Sequence, residues 1–326
     1  MAATRLGEFE RIARFFAPLA APGALGLTDD VAVIDGPDGE EYVLKTDAIV
    51  EGVHFLPDDP PDLVARKLLR VNLSDLAGKG AAPVGYLLMT ALPRSRDEDW
   101  LAAFAAGLAA DQIAYGIGLL GGDSTATEGP ATLSATVIGR VARGRAVLRS
   151  TAKPGDLVYV SGTLGDAALG LLALRSELPA LDSAHRAFLT DRYRLPQPRL
   201  RLGQRLVGVA QAMMDISDGL VGDLGHICAT SGVSATIEAA ALPLSAAAQA
   251  VIAAEPERLA AALGGGDDYE LLLTVATGRA AAIPMLAAET GVPLTRIGRI
   301  EAGSGVKVLG ADGRVLPVKV AGYRHF

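Results

Sequence analysis

The chain has 326 residues, half of them hydrophobic, with one cysteine and a net charge of −7. That length and apolar content are ample for a core and suit two domains better than one. A single cysteine excludes an internal disulfide, and no basic cluster is long enough to suggest a nucleic-acid partner.

The chain opens without a basic-then-apolar leader. Residues 8–16 read as an amphipathic helix, and a cytoplasmic protein is expected. A Gly-containing turn over 25–30 places Asp29 and Asp30 ahead of a strand at 31–34. A second strand, 42–46, follows the turn 35–39 and delivers Thr46 and Asp47. Asp29/Asp30 and Asp47 thus lie near strand ends, where ligand-binding loops gather. The next loop, 51–55, carries His54; a lone histidine there is more often a surface or hydrogen-bonded core residue than a functional one. Residues 62–77 have helical spacing (Leu63, Lys67, Leu68, Val71), with Gly78 and Gly80 as stop signals. Asn72 and Asp75 then lie one turn apart on one face.

A strand over 85–92 follows. Residues 100–122 are apolar, but they are rich in alanine and glycine and carry Asp111 at mid-depth. The pattern predicts a buried helix over 97–114 and no membrane span, then a short strand at 119–120 leading into Gly121-Gly122-Asp123. The run from Gly116 to Gly121 fits the dinucleotide G-x-G-x-x-G pattern. That motif must follow a strand and open a helix, and here it follows a helix and enters a strand. No G-x-x-x-x-G-K-[ST] loop occurs either. A strand over 131–141 closes the first half.

The basic stretch 143–155 marks the expected boundary between a first domain, 1–148, and a second, 149–326. A strand at 157–161, a helix at 166–175 and a helical stretch to 211, broken at Pro196 and Pro198, come next. After the segment around Asp215, a strand at 233–238, a helical region to about 262, a strand at 270–275, a helix at 279–290 and short strands complete the chain. Cys228 reads as a small core residue. Each half mixes strands and helices, which gives an α/β fold of α+β layers.

In Ala212-Met213-Met214-Asp215-Ile216-Ser217-Asp218-Gly219, apolar residues lead into two aspartates with no cation close in sequence. A carboxylate in an apolar setting is costly unless something pairs with it. Asp218 fits a helix N-cap as well as a metal ligand; capping does not explain Asp215. Asn72-Leu73-Ser74-Asp75 echoes the pattern, and Thr28-Asp29-Asp30, Thr46-Asp47 and Gly122-Asp123-Ser124 also set aspartate beside small or hydroxyl residues. Such oxygens are what hard cations such as Mg²⁺ accept, so several metal ions are expected.

These motifs, in this order over nearly the whole chain, resemble the thiamine-monophosphate kinase family. They run from Gly26–Asp30 through Thr46-Asp47, Glu51–Phe55, Asn72–Asp75, Gly121–Asp123 and 152–156 to Asp215–Gly219 and 265–271. Thr46-Asp47 and Gly-Gly-Asp also occur across the wider superfamily of aminoimidazole-ribonucleotide and selenophosphate synthetases; Glu51–Phe55 and Asp215–Gly219 single out the kinase. The resemblance implies a two-domain aminoimidazole-ribonucleotide synthetase-like fold that dimerises through strands of the first domain. It also implies transfer from ATP, with Mg²⁺, to thiamine monophosphate. Asp30, Thr46, Asp47, Asp75, Asp123, Asp215 and Asp218 would serve the metals, with Asp75, Asp123 and Asp215 catalytic. Tyr115, Gly122, Asp123, Arg149 and Ser217 would contact ATP, and His54, Glu270 and Tyr323 the thiamine phosphate. Lys45 departs from the hydroxyl residue often found before Thr46-Asp47, Asp267 from a frequent glutamate and Tyr323 from a common tryptophan. A related ATP-using synthetase and a non-enzymatic nucleotide- or metal-binding relative are the competing readings.

Overall fold

The computed structural model describes residues 7–178 and 181–317. The strands are β1 (Ala32–Asp35), β2 (Glu40–Val50), β3 (Ala82–Pro93), β4 (Gly118–Thr127), β5 (Thr132–Ala142), β6 (Leu157–Ser161), β7 (Ala210–Asp215), β8 (Ser234–Glu238), β9 (Leu271–Val275), β10 (Leu294–Glu301) and β11 (Gly305–Leu309). They form two sheets, ordered β1-β2-β5-β3-β4 and β11-β8-β10-β6-β9-β7. Pairing is antiparallel except for β3 with β4 and β11 with β8. The mixed α/β architecture read from the sequence is the one observed.

The first sheet alternates cleanly. Along β5, Leu133, Ala135 and Val137 are buried while Ser134 and Thr136 are not, the period-2 pattern of a sheet covered on one face. The cover is the helix Pro61–Lys79, in which every residue from Lys67 to Lys79 is buried. A helix buried all round must be packed on more than one side. Here the first sheet, the helix Glu98–Tyr115, the helix Leu200–Leu206 and β7 all pack against it. One hydrophobic core consequently runs through both halves, joining Val43, Leu68 and Leu133 to Leu202, Met213 and Leu273. A second core, around Leu224, Ile237 and Ile297, lies within the second half and takes in Cys228.

Gly78 sits inside this helix rather than ending it. A Cβ there would stand 3.2 Å from the Asp215 amide nitrogen and the Met214 Cα, so its lack of a side chain lets the helix approach the end of β7. The helix stops at Gly80, in the left-handed conformation (φ 71°) that glycine adopts at least cost.

Several expectations change in detail. The short strand at 119–120 is in fact ten residues long, so Gly121-Gly122-Asp123 lies within β4 and not in a loop. The segment 210–211, read as helical, belongs to β7. Residues 8–16 form one α-helical turn followed by a π-turn that buries nothing. Asp111 is fully buried, yet paired with Arg70 (2.6 Å) and Arg66 (3.0 Å) of the neighbouring helix. No helix among the described residues is long and apolar enough to cross a membrane. Gly116 is a helix C-cap (φ 63°) before β4, the context that rules out a dinucleotide loop.

Candidate active site

Asp30, Asp75 and Asp215 come from a loop, a helix and a strand end, and one carboxylate oxygen of each lies within 4.8 Å of the others. Asp30 precedes β1. Asp75 lies on the buried helix, and Asp215 ends β7, where that strand meets Gly78. Asp47, on the helix-covered face of β2, is oriented by its own amide, which donates to Asn72 Oδ1 (2.9 Å); the Asn72 side chain donates in turn to Leu68 O (2.9 Å). The shared helix face of Asn72 and Asp75 thus serves both the backbone of one aspartate and the carboxylate of the other. The donors are all carboxylate oxygen, the set that suits hard divalent cations.

The cations that the sequence does not place beside Asp215 arrive from elsewhere in the chain. Lys45 reaches Asp75 (3.1 Å) and Asp47 (3.2 Å). Lys79, wholly buried, reaches Asp29 (2.7 Å) and Asp30 (3.5 Å). Arg149 reaches Asp30 (2.9 Å). Their effect is uneven. Burial would raise Asp30, but Lys79, Arg149 and Lys45 draw its carboxyl down to about 2. Burial pushes Asp75 well up despite Lys45, with Asp215, Asp47 and Asp30 adding to the rise. Burial, then Asp30, raises Asp215 to about 6. Two of the three clustered carboxylates are therefore electrostatically underserved by the chain itself, the condition a bound cation relieves.

The loop after β7 is held from inside. Asp223 accepts from the amides of Ser217 (3.1 Å), Asp218 (3.2 Å) and Gly219 (3.1 Å), which fixes the entrance to the helix Leu220–Ser231. Asp267 N–H donates to Ser217 O and Tyr269 N–H to Ile216 O, both at 2.8 Å. The two aspartate-bearing segments are thereby zipped together. Asp267 (φ 68°) and Tyr269 (φ 49°) both stand in the left-handed region, strain of a kind that clusters at ligand sites.

Glu270 lies elsewhere, fully buried and already paired. It takes Arg192 Nη2 (2.9 Å), Arg199 Nε (2.7 Å) and Nη2, and the Ser161 hydroxyl (2.6 Å). His54 Nδ1 accepts from the Val50 amide (3.0 Å), while its carbonyl accepts from Lys67 (2.9 Å) and the Tyr193 hydroxyl (3.3 Å). Lys67 also pairs with Asp267 (2.8 Å), so the His54 loop and the 267–270 loop meet through one lysine.

Thr46, Gly122, Asp123 and Tyr115 are not brought to the cluster. Thr46 accepts from Thr136 (3.0 Å) on the open face of the first sheet, opposite Asp47. Gly122 and Asp123 lie on the exposed edge strand β4, beside Leu88 and Met89. A Cβ on Gly122 would meet Leu88 O at 1.8 Å, so close backbone approach already requires glycine there. Tyr115 lies under Arg70, 5.4 Å from its ring centre. Tyr323 falls outside the described residues. Sequence reasoning missed Lys79, Arg192, Arg199 and Asp223. Only the density of arginines over 192–199 could have pointed to any of them, and nothing local tied those to Glu270.

The family profile for AIR synthase related protein, N-terminal domain, matches residues 28–141, and that for the C-terminal domain matches 153–310. The thiamine-monophosphate kinase of Caulobacter vibrioides is 43% identical over 98% of this chain and 90% of its own length. That of Escherichia coli K12 is 42% identical over 98% of each. This chain belongs to the thiamine-monophosphate kinase family. A solved structure of AaThiL complexed with AMPPCP and TMP superposes on the whole of both chains with a TM-score of 0.88 at 32% identity.

Proposed function

We propose that the chain transfers the γ-phosphoryl group of ATP to thiamine monophosphate, giving thiamine diphosphate and ADP. The observation that carries this reading is the trio Asp30, Asp75 and Asp215, the last two buried, in a chain that matches thiamine-monophosphate kinases over 98% of its length. Asp30, Asp47, Asp75 and Asp215, with Asp218 as a further carboxylate, would hold Mg²⁺, which would supply positive charge against the phosphates. Arg149, fixed by Asp30 and by the Thr28 carbonyl, would offer its guanidinium to ATP, with Ser217 as a further contact. Glu270 acts through Arg192 and Arg199, holding two cations for the acceptor's anionic end, and His54 positions the acceptor.

The acceptor needs no general base. A phosphate monoester has a second pKa near ~6 and is mostly dianionic at pH 7, so its attacking oxygen carries no proton to remove. Direct in-line transfer without a phosphoenzyme follows, because carboxylates committed to cations are poor nucleophiles. ATP made chiral at the γ-phosphorus should give inverted product; retention would overturn single transfer.

The first sheet supports a homodimer. Its open face and edge expose Leu87, Leu119 and Leu120, an apolar surface of the kind that marks interfaces. Gly122 stands in register with Asp47 through Ala135 and Leu88, so three strand spacings, about 14 Å, separate them. In this reading Gly122 and Asp123 serve the site of a second copy, and Thr46 stands on the face that this copy covers. The boundary proposed between the two domains is 148/149, ahead of the Arg149–Thr151 turn. Light scattering at micromolar concentration should give the dimer mass, and Leu120→Glu should shift it toward the monomer.

The competing superfamily reading, a synthetase, differs in what ADP release requires. Steady-state ADP release should demand thiamine monophosphate and be faster with it than with free thiamine. Release that ignores thiamine monophosphate would overturn the proposed substrate.

A further inference from the structure

Lys45 is the one cation among the described residues that bridges two different segments' aspartates at the cluster's centre. Its ammonium contacts Asp47 on its own strand and Asp75 on the facing helix, and its side chain is only 14% exposed. Asp30 and Asp215 act on it through their charges as well. Lys79 and Arg149 are committed to the other side, on Asp29 and Asp30. Five carboxylates (Asp29, Asp30, Asp47, Asp75, Asp215) thus face three protein cations, and Lys45 alone serves the Asp47–Asp75 side. A lysine ammonium is a compact point charge that donates to oxygen and displaces water, the qualities a small metal ion brings to the same atoms.

We propose that the Lys45 ammonium is a built-in cation of the site: it holds Asp47 and Asp75 together and takes the place of one divalent ion. This rests on the metal-assisted reading above. It implies that this chain assembles its site with one fewer divalent ion than a variant lacking the charge. It also implies that the Asp47–Asp75 pairing survives metal removal, because a covalently tethered cation cannot be chelated away. Without the ammonium the two carboxylates repel each other until a metal enters.

The test counts metal and measures stability without relying on turnover. The parent, Lys45→Thr, Lys45→Met and Lys45→Arg would be dialysed against Mn²⁺ with a non-hydrolysable ATP analogue, and bound Mn²⁺ per protomer read from the free-ion electron paramagnetic resonance signal. Thr and Met variants should bind one more ion than the parent, and the Arg variant the parent's number. In EDTA the Met variant should unfold at least about 3 °C below the parent, and Mn²⁺ should raise its Tm by more than it raises the parent's. Equal ion counts in all four proteins would overturn the proposal, as would an unchanged Tm in EDTA. If the parent binds no Mn²⁺ at all, the metal reading fails first. Lys45 as a surrogate cation then fails as well if the Met variant also binds none. Circular dichroism of each variant separates misfolding from either result.

Discussion

Two of the buried acidic sites among the described residues, one around Asp75 and one at Glu270, are built in opposite ways. Around Asp75 the acids outnumber the cations, and burial drives Asp75 and Asp215 toward the protonated form. Around Glu270 one carboxylate, wholly buried, takes two arginines and a serine hydroxyl. The first cluster is incomplete without something positive; Glu270 has its positive partners already in contact. Burial alone therefore does not distinguish a structural acid from a functional one. The cations within reach of each acid do, and under the proposed function the first site would take metal ions while the arginines on Glu270 would face the anionic acceptor.

The largest effect expected from breaking this contrast is on turnover. Asp75→Ala, Asp215→Ala and Asp123→Ala should each cost at least about a hundredfold in kcat in a folded protein, the scale of losing one transition-state electrostatic contact. Near-normal turnover in any of them would remove that residue from the site. Asp123 tests the second copy as well, since its loss should be rescued partly in mixed dimers with an Asp75→Ala chain.

Glu270→Ala should act on the fold. It leaves two arginines with no buried partner, a change of about 3–5 kcal/mol when one member of a buried pair is removed, and Tm should fall by roughly 6 °C or more. A Glu270→Ala protein with unchanged Tm would make the two clusters alike and undo the comparison.

The pH dependence sharpens it further. Asp215 has a folded pKa of about 6 against an ordinary 3.8, so without metal the folded state holds this proton more tightly than the unfolded one. Below about pH 4 the group is protonated in both states and costs nothing. As pH rises through 6 the folded state loses up to about 3 kcal/mol on its account. Asp30, drawn down to about 2, works the other way: its contribution is full above 3.8 and is lost as pH falls through 2. In EDTA, Asp215→Asn should therefore be more stable than the parent at pH 8 and similar at pH 4. Equal stabilities at pH 8 would show that Asp215 is satisfied without metal.

The smallest effect is at His54. Its ring accepts a backbone amide and its carbonyl serves Lys67 and Tyr193, so a role in holding the acceptor predicts a KM raised about tenfold in His54→Asn with little change in kcat. Normal KM with a thousandfold lower kcat would make it a catalytic base instead.

How much of this was legible in the sequence follows from distance along the chain. Asp30, Asp75 and Asp215 could be found because each carries its own local sign, an acid in an apolar or hydroxyl-rich setting. The helix 62–77 could be found because periodicity is local too. What failed was partnership. Lys45 meets Asp75, and Lys79 meets Asp29, from far away in sequence, and Glu270 reads as open to a ligand because Arg192 and Arg199 reach it across 78 and 71 residues. The strand β4 was read short because its glycines look like a loop; in the sheet they are what lets β3 approach, Gly122 against Leu88.

The most direct test of an acid-rich site awaiting cations is the formation of thiamine diphosphate from ATP and thiamine monophosphate as Mg²⁺ is titrated. Product should appear only with all three present, rise with Mg²⁺ and stop on addition of excess EDTA. Turnover that persists in EDTA, or that is faster with free thiamine than with thiamine monophosphate, would contradict it.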